Sequence, residues 1–158
     1  RPAAAPIAAA AVGALLLISG CRAAATPTTA TGPAMVSTRA SELGTIVVDS
    51  RGRTLYLFER DERHESYCTG ACAAIWPPLT TDAPPTAHGA ANAGLLGTIK
   101  RDDGSQQVTY NGNPLYYYVA DNSTPGSVKG QDLKQFGAGW YTLTEQGQKL
   151  EKAGADGS

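Results

Sequence analysis

One ten-residue pattern occurs twice in this chain. G-R-T-L-Y-L-F-E-R-D, Gly52 to Asp61, returns sixty positions later as G-N-P-L-Y-Y-Y-V-A-D, Gly112 to Asp121, with the Gly, Leu, Tyr, second aromatic and Asp in register and a tryptophan after each copy. Modules this short cannot each close a core, because a small chain buries too small a share of its surface. The duplication therefore predicts one domain over 42–144, made of a first repeat over about 43–79 and a second over about 96–143. About a hundred residues are enough for one core and not for two.

The chain ahead of that domain reads as an address. Arg1 is the only charge before an apolar run from Ile7 to Ile18, long enough for a signal peptide and too short to span a bilayer. Ile18-Ser19-Gly20-Cys21 has the form of a bacterial lipobox, so residues 1–20 are expected to be cleaved and Cys21 to carry a diacylglycerol thioether with palmitate-like chains. Each buried CH₂ contributes about 0.8 kcal/mol, and more than one acyl chain is needed for a lasting hold. The expected location is the outer face of the bacterial cytoplasmic membrane. Residues 21–41 are rich in Ala, Thr and Pro and read as a disordered tether; 145–158 read as a polar tail with at most a turn of helix over Gln146 to Ala153. Removing Arg1 with the signal leaves twelve basic against fourteen acidic residues, without runs of either sign. That balance argues against nucleic acid, or a polybasic grip on anionic lipid, as the main partner.

Within the domain the turn signals are dense. Leu43 to Asp49 is β-branched and ends at Ser50-Arg51-Gly52, which predicts a strand and a turn. In the next strand Leu55 and Leu57 alternate with Tyr56 and Phe58, one face aliphatic and one aromatic. Leu96 to Lys100, Gln107 to Tyr110 and Leu115 to Val119 are separated by Asp102-Asp103-Gly104 and Asn111-Gly112, the latter a type I′ hairpin signal; together they predict an antiparallel meander. Trp140 to Leu143 reads as a closing strand. It echoes Trp76-Pro77-Pro78-Leu79, where two prolines remove donors and predict an irregular turn. The fold class is mainly β, antiparallel, with a short helical turn near Cys72.

These residues resemble a family. L-G-T-I-V-V-D-S-R-G-R-T-L-Y-L-F-E-R-D, then C-T-G-A-C-A-A-I-W-P-P-L, then the second copy and G-S-V-K-G-Q-D, are similar to the bacterial secreted-repeat lipoproteins with the Y-x-[FWY]-x-x-D motif. Both copies fit, as Tyr56, Phe58, Asp61 and as Tyr116, Tyr118, Asp121. The resemblance implies the two-repeat architecture and brings no established biochemical activity.

The motif itself has two readings. In one, a carboxylate leaving the strand end turns back to a phenol or a backbone N–H and clamps the loop. In the other, the aromatics line a groove for a flat apolar ligand or a sugar, with the aspartates at its rim. Cys68 and Cys72 likewise have two. Outside the cytoplasm two nearby thiols are expected to form a disulfide; alternatively the C-x-x-x-C spacing, with His64 four residues earlier, would hold copper. The thioredoxin-like C-x-x-C is absent, as are the nucleophile elbow, H-E-x-x-H and phosphate-loop motifs. The expectation is a non-enzyme without a cofactor, binding or presenting an unidentified surface ligand or protein, with copper or electron handling as the alternative.

Overall fold

The computed structural model describes residues 32–151 of the chain. Its first hairpin pairs β1 (Met35–Ser41) with β2 (Gly44–Asp49), from Val36 opposite Asp49 to Ser41 opposite Gly44. This corrects the tether expected over 21–41, whose last seven residues are a strand. Only Val36 of that strand is fully buried, so backbone pairing holds it rather than side-chain burial, and composition does not display backbone pairing. Residues 1–20 and Cys21 lie outside the described residues.

The first repeat continues with β3 (Tyr56–Phe58) and α1 (Ala71–Ile75), the helical turn expected near Cys72. β4 (Thr86–Ala87), from the connector between the repeats, pairs in parallel with β1 and gives the order β2-β1-β4. The second repeat is the meander β5 (Leu96–Lys100), β6 (Gln106–Tyr110) and β7 (Asn113–Pro114). Asn111 and Gly112 at its second turn have φ of 51° and 77°, the left-handed pair that a two-residue hairpin demands. Gly52 in the first repeat has the same φ of 77° as Gly112, which explains why glycine opens both copies of the motif. β8 (Leu133–Gln135) and β9 (Ala138–Thr142) complete the set.

Leu115 to Val119, expected as one strand, is extended only as far as Tyr118, exchanges partner at each step, and enters a 3-10 turn at Val119. Leu115 N–H donates to Val108, Tyr116 N–H to Tyr56 and Tyr117 N–H to Pro77. Beyond β9 the chain corrects the expected tail. Thr144 N–H bonds to Gln148 O at 2.8 Å and Leu150 N–H returns to Thr142 O at 2.9 Å, a tight return in place of a helical turn, with Gly147 at φ 74°.

The halves are threaded through each other. β3 of the first repeat pairs with β9 of the second, Tyr56 to Thr142 through Phe58 to Trp140. The W-x-x-L segment of the first repeat pairs with the motif strand of the second, Leu79 N–H to Leu115 O at 2.9 Å. Its prolines limit this pairing to single bridges, as at Pro78 and Tyr116. The core has an aliphatic cluster that includes Val36, Val47, Leu55, Leu79, Leu115 and Leu143, and an aromatic one that includes Tyr56, Phe58, Trp76, Tyr116 and Trp140. Each draws on both repeats, so neither half has a core of its own.

Candidate functional site

The alternation of Leu and aromatic residues in the motif strands sends the aromatics of both repeats to one side, where they meet. Phe58, Trp140, Trp76 and Tyr118 stack in that order, with centroid separations of 4.1, 3.9 and 4.2 Å and interplanar angles of 10°, 7° and 20°. Tyr56 stands edge-on to Trp76 at 5.4 Å and Tyr116 edge-on to Trp140 at 5.2 Å. The order is palindromic: motif ring, tryptophan, tryptophan, motif ring. Gln135 satisfies both indoles, accepting from Trp76 Nε1 at its side-chain Oε1 (2.8 Å) and from Trp140 Nε1 at its backbone O (3.1 Å). Tyr56, Phe58 and Tyr116 are at most 3 % exposed and build the interior, and Tyr118 is half-buried; Phe58 and Asp61 also border one surface recess, and Tyr118 and Asp121 another.

At the centre the two motif tyrosines bridge through their backbones, Tyr56 N–H to Tyr116 O at 2.9 Å and Tyr116 N–H to Tyr56 O at 3.0 Å. Their hydroxyls then cross over. Tyr56 donates to Asp121 Oδ2 at 2.6 Å, and Tyr116 donates to Asp61 Oδ2 at 2.6 Å. Each aspartate's other oxygen holds its own loop: Asp61 Oδ1 accepts Tyr67 N–H at 2.7 Å, and Asp121 Oδ1 accepts Lys129 N–H at 2.9 Å and the Ser127 hydroxyl at 2.8 Å. Each carboxylate therefore joins its own loop to the other repeat's tyrosine. The two aspartates share no partner.

The electrostatics follow from burial. Loss of solvent lifts the Tyr56 phenol far above its ordinary range, and the Asp121 carboxylate adds to the shift. The Tyr116 phenol moves the same way, through burial first and Asp61 second. Burial pushes the Asp61 carboxyl up to about 6, against the lowering effect of the Tyr116 hydroxyl, the Tyr67 N–H and Arg101. Both phenols are thus fixed donors at neutral pH.

One clamp continues into the cysteine loop through residues that the motif does not announce. The Tyr116 hydroxyl meets Ser66 Oγ at 2.6 Å, and Ser66 accepts from Arg101 Nη1 at 2.8 Å. Arg101, buried, also donates to Gln107 Oε1 at 2.7 Å and to Cys68 O at 2.6 Å. Ser66 lies in a charge run that reads as solvated, and Arg101 beside a D-D-G turn that reads as exposed, so local sequence carries no sign of either. A third Tyr–Asp pair joins Tyr117 to Asp49 at 2.9 Å, with Arg53 bonded to both and its guanidinium 4.1 Å from the Tyr117 ring.

Cys68 and Cys72 form a disulfide with Cα atoms 5.2 Å apart, both residues buried against the aromatic cluster. His64 is exposed, with φ of 70°. Among the described residues no group of three or more His, Cys, Asp or Glu is arranged to hold a metal ion, and with the two sulfurs joined the copper alternative concerns only the reduced protein.

No curated protein and no solved structure matches the chain. A family described as a secreted repeat of unknown function matches it twice, over 37–80 and 97–144, more than half of its 158 residues and the same two segments that the crossed clamps tie together. By that double match the chain belongs to the family of secreted repeats.

Proposed function

We propose that this chain is a non-catalytic binding or presentation module, held at the outer face of the cytoplasmic membrane by a lipid on Cys21. The observation that supports it most is the use made of the motif. The groups able to do acid–base work, Tyr56, Tyr116, Asp61 and Asp121, are engaged with one another and with loop backbone, and their rings fill the interior. Such a centre keeps a surface in shape, and recognition falls to the periphery. The secreted character of the family agrees with an extracytoplasmic site; among the described residues no helix is long and apolar enough to cross a membrane.

The test is fractionation of cells expressing the full chain, with an alkyne-palmitate label. The parent should sediment with membranes and carry label; Cys21→Ser should lose the label and leave the membrane fraction. A parent that is unlabelled and released would refute the anchor.

A further inference from the structure

The two repeats differ at one edge. In the first repeat the outer edge of β1 is covered by the connector: Ala34 O accepts Thr86 N–H at 2.9 Å, Val36 O accepts His88 N–H at 2.9 Å, and Thr38 Oγ1 accepts Ala90 N–H at 3.2 Å. In the second repeat β5 stands sixty positions on, with Leu96 for Val36 and Thr98 for Thr38. Its ladder with β6 is fixed by Asn111 N–H to Leu95 O (2.8 Å) at one end and Arg101 N–H to Ser105 O (2.9 Å) at the other. Antiparallel pairs alternate between bonded and non-bonded positions, so the odd-numbered residues face β6 while Leu96, Thr98 and Lys100 turn their backbone groups outward. Leu96 N–H closes on Ala93 O. Among the described residues the outward N–H groups of Thr98 and Lys100 meet no acceptor, and both residues are exposed.

β5 also borders a recess of about 430 Å³ that reaches from Leu96 and Thr98 past Gln106 of β6 to Asp82 and Pro84, over the face of the sheet beside this edge. After Leu143 the second repeat turns back on β9, so the described chain supplies no counterpart of β4 here. We infer that the outer edge of β5 is a docking site for an extended, uncharged peptide rich in small residues, which adds as a parallel strand where β4 sits in the first repeat. This rests on the binding reading above and makes it specific. The first repeat provides the occupant's chemistry, since T-A-H-G-A, residues 86–90 within P-P-T-A-H-G-A-A, lies along the equivalent edge. Main-chain bonds supply the affinity in such additions and side-chain pockets the selectivity. The occupant of the equivalent edge in the first repeat is a single strand of connector at the end of its sheet, which favours a peptide over a second copy.

The test uses ¹⁵N-labelled full chain carrying Cys21→Ser and a capped synthetic P-P-T-A-H-G-A-A peptide. Thr98 and Lys100 amides should shift on titration and exchange with deuterium at least ten-fold more slowly at saturation. Thr98→Pro, which removes an outward donor and no internal pairing, should raise Kd at least ten-fold. Peptides N-methylated at alternate residues give the same test with the protein unaltered; only the register facing β5 should abolish binding. Shifts confined to residues away from β5 would overturn the assignment and leave the binding reading standing, and no shift at all would also overturn it. Protection of Thr98 that grows with protein concentration without peptide would assign the edge to a second copy. Protection lost on deleting 152–158 or 22–31 would assign it to the chain itself; either result overturns the proposal.

Discussion

Replacing Tyr56 by Phe removes one oxygen and should cost the domain a large share of its stability. The hydroxyl donates to the Asp121 carboxylate at 2.6 Å and accepts Gly130 N–H at 3.2 Å, both in the interior. A hydrogen bond to a charged group contributes about 1.5–3 kcal/mol net, and a buried N–H left without an acceptor costs at least about 1 kcal/mol more. The expected loss is about 3 kcal/mol, out of a total of about 5–15 kcal/mol for a domain. For a domain of this size that lowers Tm by about 10–20 °C. Tyr116→Phe should cost less, about 1–2 kcal/mol, because half-exposed Asp61 can replace the lost hydroxyl with water. The decisive measurement is a pair of double-mutant cycles read by urea denaturation. Tyr56→Phe with Asp121→Asn should show coupling above about 1.5 kcal/mol, while Tyr56→Phe with Asp61→Asn should be additive within about 0.5 kcal/mol. Coupling of Tyr56 to Asp61, its neighbour in sequence, with none to Asp121, would refute the crossed arrangement and the reasoning built on it.

Asp61 sets a pH dependence whose sign follows from its folded pKa of about 6 lying above the unfolded value of 3.8: its contribution to stability is full below pH 3.8 and is lost as pH rises through 6. Carboxyl ¹³C shifts should report a midpoint near 6, and Asp61→Asn should flatten stability between pH 4 and 6; an ordinary midpoint near 4 would contradict the burial argument. Replacing Cys68 and Cys72 together by Ala should cost about 2 kcal/mol on the loop-entropy estimate, measured by urea denaturation against the oxidised parent. Cu(I) titration of the reduced parent checks the alternative, which stands only if uptake is weakened by His64→Ala. Gly130→Ala should be destabilising by about 1–3 kcal/mol, because a Cβ there would lie 2.8 Å from both the Trp76 and Tyr56 rings; a neutral thermal melt would show that the loop gives way freely.

Much of the frame was legible because turn chemistry and alternation are local. Asn111-Gly112 placed the hairpin between β6 and β7, and Leu55 and Leu57 against Tyr56 and Phe58 foretold two apolar faces. What stayed hidden is non-local. Identical spacing in both copies gives no hint whether Tyr56 meets Asp61 or Asp121, since each repeat offers the same carboxylate at the same distance along the chain. β1 escaped notice because S-T-R-A-S carries little apolar signal while its backbone pairs with β2 over its length. Arg101 was invisible for the opposite reason: an arginine beside a turn reads as solvated until the fold closes over it.

The crossing of Tyr56 to Asp121 and Tyr116 to Asp61 has a historical consequence. Interactions that run only from one module to its twin are those of a two-chain symmetric assembly, so a solitary ancestor of this module would have needed a second copy of itself to satisfy its phenol and its carboxylate. On one polypeptide the twins need not stay alike, and among the described residues the two aspartates differ in burial and only the earlier module has its outer edge covered.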